Sequence, residues 1–93
     1  MKITYDCFKW AKTLEARGLD MRRAHEVFFG LHFTLPDERV SYPELRFITI
    51  GALDGRMVIV VWTPRGDARR IISMRKAISR EQAKYAQYLG RSR

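Results

Sequence analysis

The spacing of apolar residues divides the chain into a helical beginning, a strand-rich middle and a helical end. Residues 2–5 read as a short strand, after which Asp6 is placed to cap a helix. Cys7, Trp10, Ala11 and Leu14 recur there at i, i+3, i+4 and i+7, the interval that lines one helical face. Gly18 closes this helix, because a residue without a Cβ enters the left-handed region at little cost. Asp20 opens a second helix with Ala24, Val27, Phe28 and Leu31 on its apolar stripe and Gly30 at its end. Two short, adjacent, amphipathic helices of this kind pack on one common surface.

Farther along, the period changes. Residues 46–50, 57–63 and 69–74 are rich in Ile, Val, Phe and Thr, and turn signals separate them at Asp54-Gly55 and at Pro64-Arg65-Gly66-Asp67. These predict an antiparallel meander of at least three strands, with residues 32–35 a fourth, joined by a loop over 36–43. Regular alternation in the last strand sends Arg69, Ile71, Ser73 and Arg75 to one face and Arg70, Ile72, Met74 and Lys76 to the other. Ser79-Arg80-Glu81-Gln82 has the spacing of a capping box, with Ile78 as the staple before it, and opens a helix bearing Tyr85, Tyr88 and Leu89. Arg80, Lys84 and Arg91 form its basic face. The expected fold class is α+β: two N-terminal helices, an antiparallel β-meander of three to four strands and a C-terminal helix.

Composition narrows the class. At 93 residues the chain is read as one domain over 1–93, and 46% hydrophobic with 12% aromatic residues is enough for a core, which excludes wholesale disorder. The longest apolar run, residues 57–62, is far short of the roughly 20 that a membrane span needs. No basic-then-apolar leader precedes it. Cys7 alone makes neither an internal disulfide nor a thiolate cage, so a reducing cytoplasm is the expected compartment, with Cys7 a small core residue.

Charge is distributed unevenly. Residues 1–55 carry eight basic and eight acidic groups, whereas residues 56–93 carry ten basic and two acidic, so the whole net charge of +8 lies in the later part. A one-sided cationic surface is the footprint of a polyanion binder, since each neutralised phosphate releases counterions.

Among chemistries, metal ligation has little to stand on: His25 and His32 lie seven apart with Cys7 distant, and no carboxylate pair has ligand spacing relative to them. No G-x-S-x-G elbow, Walker loop or dinucleotide glycine pattern is present. What remains is cationic. Arg65, Arg70, Arg75, Lys76 and Arg80 fall on a turn, the strand after it and the head of the last helix. Guanidiniums on a rigid strand can grip a phosphate and stabilise the charge it gains on becoming five-coordinate. Glu44, Glu81, Tyr85 and Lys76 are the nearby groups able to move a proton. Tyr42, Trp62 and Tyr85 either stack on unpaired bases or pack the core. A basic sheet edge neutralised by salt bridges to Asp67, Glu44 and Glu81 would present the same residues without any chemistry.

Three stretches taken together carry a family resemblance. They are Asp37-Glu38-Arg39-Val40-Ser41-Tyr42-Pro43-Glu44-Leu45-Arg46-Phe47-Ile48-Thr49-Ile50-Gly51; Val60-Val61-Trp62-Thr63 with Arg65-Gly66-Asp67; and Arg70-Ile71-Ile72-Ser73-Met74-Arg75-Lys76-Ala77 with Arg80-Glu81 and Tyr85. With Tyr5-Asp6, Gly18 and Glu26-Val27-Phe28 they resemble the BrnT toxins of bacterial type II toxin–antitoxin systems, over nearly the whole chain. The resemblance implies a RelE-like fold and a metal-independent ribonuclease that arrests translation and growth, needing no cofactor. It implies a BrnA-type antitoxin partner, through which the complex binds promoter DNA. On this reading Arg65, Arg70, Arg75, Glu44 and Tyr85 are catalytic, while Arg39, Arg46, Lys76, Arg80, Lys84 and Trp62 bind RNA. Two departures stand out. Where many members have Asn-x-x-Lys-His-Gly, this chain has Thr13-Leu14-Glu15-Ala16-Arg17-Gly18, and Trp62 replaces a common Tyr. Two other classes fit the same basic face: a non-catalytic RNA- or ribosome-binding module, and a protein-interaction domain for an acidic partner.

Overall fold

A computed structural model describes residues 1–39 and 41–89. In chain order it comprises β1 (Lys2–Tyr5), α1 (Cys7–Arg17), a 3₁₀ turn (Met21–Arg23) running into α2 (Ala24–Phe29), β2 (Phe33–Pro36), β3 (Phe47–Leu53), β4 (Arg56–Arg65), β5 (Ala68–Lys76) and α3 (Ser79–Leu89). The strands form one sheet in the order β1-β5-β4-β3-β2. β2 to β5 pair antiparallel, but β1 lies parallel to β5. The α+β class is as expected, whereas the sheet has five strands and is mixed, not an antiparallel meander of three to four. Arg91, expected on the basic face of α3, lies outside the described residues.

The local signals act as their chemistry requires. The Asp6 carboxylate accepts the Phe8 and Lys9 N–H groups at 2.8 and 3.1 Å, and Gly18 ends α1 at φ 68°. Asp54 and Gly55 both take positive φ, 53° and 76°, as a two-residue hairpin turn of mirror-image type demands. Asp20 caps the 3₁₀ turn, accepting the Arg22 N–H at 2.9 Å, and also accepts the Trp10 indole N–H at 2.8 Å, which ties the turn to α1. At the head of α3 the capping register is one residue earlier than expected. Ile78 supplies the first helical carbonyl, to the Gln82 N–H, and its own N–H is accepted by Glu81 at 2.9 Å.

Two cores flank the sheet. On one face α2 and the 3₁₀ turn bury Met21, Ala24, Val27 and Phe28 against Leu53, Val58, Val60, Trp62, Ile71 and Met74. On the other, Tyr85 and Leu89 of α3 cover Ile50, Ile59 and Ala77. Gly51 lets α2 approach β3, since a Cβ there would lie 2.8 Å from Val27 Cγ1. The expectation that Cys7 is a core residue is overturned: α1 has no buried residue and Cys7 is exposed. Physically, α1 follows β5 along the edge that β1 leaves unpaired, so only Trp10 reaches the core from its stripe. Arg17, where the resembling family has histidine, ends this helix by donating to the Met74 carbonyl at 3.0 Å, a free edge position of β5.

Candidate functional site

A single irregularity in β5 decides which cations share a face. Opposite Val61 stands Ser73 and opposite Trp62 stands Ile71, so Ile72 is an extra residue with no partner on β4. The bulge reverses the phase of the strand. Before it Arg70 lies opposite Thr63, and after it Ser73 and Arg75 lie opposite Val61 and Ile59. Directly opposed residues point to the same side, and Ile59 belongs to the core under α3. Arg70, Ser73 and Arg75 therefore project together on the α3 side, while Ile71 and Met74 are both buried under α2. The expected alternation, which separated Arg70 from Arg75, is corrected by this bulge.

The same register removes two expected members. Lys76 lies opposite Val58 of the α2-side core and borders a cleft with Gly18, Arg23 and Arg56, away from Arg70 and Arg75. Trp62 is only 9% exposed, with Phe28 and Phe47 rings centred 5.7 and 5.0 Å away and the Arg69 guanidinium 4.8 Å above it. Its indole N–H donates to Thr49 Oγ1 at 2.8 Å. It has no free ring face for a base, and the expectation that it stacks on RNA is withdrawn.

The loop between β2 and β3 brings the remaining groups to the α3 side. Thr63 donates to the Leu45 carbonyl at 2.6 Å, pinning that loop across β4. Glu44 then accepts from Arg65 at 3.0 Å and from Arg46 at 3.4 Å, and Arg46 lies 4.0 Å above the Tyr42 ring. Arg39 is gripped side-on by the buried Asp37 carboxylate, Nε at 2.7 Å and Nη2 at 2.8 Å. Arg75 is gripped end-on by Glu81, with Nη1 and Nη2 each 2.8 Å from one oxygen. Among the described residues Arg70 has no ion-pair partner. Tyr85 packs 5.5 Å from Phe33, with the Lys84 ammonium 5.4 Å from its ring, and Arg80 is exposed on the same helix.

Two of the neutralising salt bridges weighed from the sequence, to Glu44 and Glu81, thus exist, while Asp67 makes none among the described residues. Partly exposed pairs of this kind contribute little net energy, so they do not by themselves bar a phosphate from the guanidinium edges they leave open. The role of Asp37 escaped the sequence reading. A signal was available: Asp20-x-Arg22, Asp37-x-Arg39 and Glu44-x-Arg46 share one spacing, and all three form ion pairs.

Electrostatics follows these contacts. The hydrogen bonds from Arg75 hold the Glu81 carboxyl down to about 2, aided by the Ile78 N–H and by the charges of Arg75 and Arg80 against the cost of burial. Arg22 and Arg39 likewise lower Asp20 and Asp37. Glu81 starts from an ordinary value of 4.5, so its pair stabilises the fold fully above that pH and the contribution is lost as pH falls towards 2. Denaturant midpoints measured across this window should fall with acid, and Glu81→Gln should flatten the fall; an unchanged slope would show that the pair contributes nothing.

Among the described residues no three His, Cys, Asp or Glu side chains cluster as metal ligands. The histidines are used locally: His25 Nδ1–H donates to the Arg22 carbonyl at 3.0 Å and His32 Nδ1–H to the Gly30 carbonyl at 2.8 Å. No helix among the described residues is long and apolar enough to cross a membrane.

Comparison with curated proteins gives no significant match. A protein-family model described as "Ribonuclease toxin, BrnT, of type II toxin-antitoxin system" matches residues 5–81. The matched stretch runs from the last residue of β1 into the first turn of α3 and contains Arg39, Glu44, Arg46, Arg65, Arg70, Arg75 and Glu81. A match over this much of the length shows that the chain belongs to the BrnT family, the ribonuclease toxins of type II toxin–antitoxin systems, whose members act on RNA and are held in check by an antitoxin.

Proposed function

We propose that this protein is a metal-independent endoribonuclease, a single RelE-like toxin domain acting in the cytoplasm to arrest translation and growth. The observation that carries the reading is the bulge at Ile72, which gathers Arg70 and Arg75 on one sheet face beside α3. Its chemistry is transfer of the phosphoryl group to the neighbouring ribose oxygen. The 2′ oxygen bonds to phosphorus, the bond from phosphorus to the 5′ oxygen breaks, and the products are a cyclic 2′,3′-phosphate and a 5′-hydroxyl. Arg70 and Arg75, with Arg65 at the margin, stabilise the charge that accumulates on the phosphate oxygens. Glu44 enters from the β2–β3 loop and Tyr85 from α3; a carboxylate there takes the 2′ proton and a phenol returns one to the leaving oxygen. Arg39, Arg46, Arg80 and Lys84 extend the cationic track along the strand of RNA.

The partner of this reading is a BrnA-type antitoxin that covers the arginine face, its complex reaching promoter DNA through the antitoxin. The purified protein should cut RNA in the presence of EDTA and leave 5′-hydroxyl ends, and an oligonucleotide with a 2′-deoxy sugar at the cut position should stay whole. Intact RNA, with no growth defect on expression, overturns the proposal. One observation favours non-catalytic binding instead: four of the six arginines placed on this face, Arg39, Arg46, Arg65 and Arg75, are already paired with carboxylates. That reading predicts binding that weakens steeply with salt and yields no new ends.

A further inference from the structure

Arg75 has two edges that can meet an oxyanion, and the structure shows which one is spent. The end-on edge, formed by Nη1 and Nη2, is occupied by both oxygens of Glu81 at 2.8 Å. Beyond that, Nη1 makes only a long contact of 3.5 Å to the Lys76 carbonyl. The side-on edge, Nε–H with the adjoining Nη2–H, has no acceptor among the described residues. Glu81 is itself held fast, because the oxygen that meets Nη1 also accepts the Ile78 N–H at 2.9 Å at the start of α3. A helix terminus thus fixes a carboxylate, and the carboxylate fixes the plane of a guanidinium. Arg39 adds a second cation close enough for its charge to oppose that of Arg75.

We propose that Glu81 is a positioning residue for the RNA reaction: it holds Arg75 by the end-on edge so that the side-on edge is presented, preoriented, to the scissile phosphate. The assignment rests on the ribonuclease reading above. It differs from the view of Glu81 as a competing counterion, under which removing the carboxylate would free Arg75 and strengthen activity. It also differs from a purely structural role as a helix cap, because glutamine in its place keeps an oxygen for the Ile78 N–H while losing the charge and the second acceptor for Arg75.

The test uses the full chain with a fluorescent RNA in EDTA. Glu81→Gln should lower kcat about tenfold with little change in KM, since a loosened donor costs most where charge develops. Arg75→Ala should be partly restored by millimolar guanidinium, which the Glu81 carboxylate can seat in the vacated place. The double variant Arg75→Ala/Glu81→Gln should show no such rescue, although thermal melts confirm that it is folded. Equal rescue with and without the carboxylate, or a Glu81→Gln enzyme as fast as the parent or faster, overturns the positioning role alone. A parent protein that leaves RNA intact overturns the ribonuclease reading itself, and the assignment with it.

Discussion

Arg70→Ala should reduce RNA cleavage by about 10²- to 10³-fold, the loss seen when one preorganised donor to a developing oxyanion is removed. The effect is expected in kcat/KM, by comparing single-turnover rates of the parent and variant on the same RNA. Arg70 is singled out because it has no ion-pair partner among the described residues while Arg39, Arg46, Arg65 and Arg75 each have one. Its removal leaves no carboxylate stranded, so the melting temperature should stay near that of the parent. Arg65→Ala, by contrast, takes a ligand from Glu44 and loosens the pinned loop, mixing a catalytic effect with a structural one. If Arg70→Ala cleaves as well as the parent, the bulged face is not where the phosphate sits.

Trp62→Ala should cost about 3–5 kcal/mol of stability, the range for emptying a large aromatic from a core. For a domain whose total stability is of order 5–15 kcal/mol, that is enough to leave a sizeable unfolded fraction at 37 °C. The indole fills the space between Phe28 and Phe47 and supports Arg69 from below, so no neighbour can close the gap without moving α2. Trp62→Phe keeps most of the contacts and gives up the hydrogen bond to Thr49, for roughly 1 kcal/mol. Urea midpoints measure both. RNA affinity of the Phe variant should equal that of the parent; a clear loss would place Trp62 in the RNA site after all.

These two residues show where the sequence could and could not be read. Asp6, Gly18 and the Asp54-Gly55 turn act through bonds to residues two to four positions away, so their chemistry is visible in the chain itself. The run 57–62 in β4 is different. Val58, Val60 and Trp62 are buried under α2 and Ile59 under α3, so apolar residues occupy both faces and no alternation marks which side an aromatic takes. The bulge at Ile72 is hidden for a related reason, since isoleucine suits either phase of a strand and nothing local shows that β4 leaves it unpaired. The arginines of the site were therefore nameable from sequence, but their sidedness was not. Arg75 and Lys76, neighbours in the chain, lie on opposite faces as plain alternation expects, but Arg70 joins Arg75 only through an inserted residue. The parallel partner of β1 was likewise beyond reach, because it depends on a contact between distant parts of the chain.

That last contact has a consequence for how the fold is completed. Hairpins between β3, β4 and β5 close short loops, whereas Lys2 meets Ala68 across most of the chain, the costliest closure in the sheet in entropy. Until it is made, one margin of the arginine-bearing strand has neither the β1 ladder nor the Arg17 bond to Met74 to hold it. Maturation of the toxin is thus tied to its most non-local pairing, the kind that slows folding most.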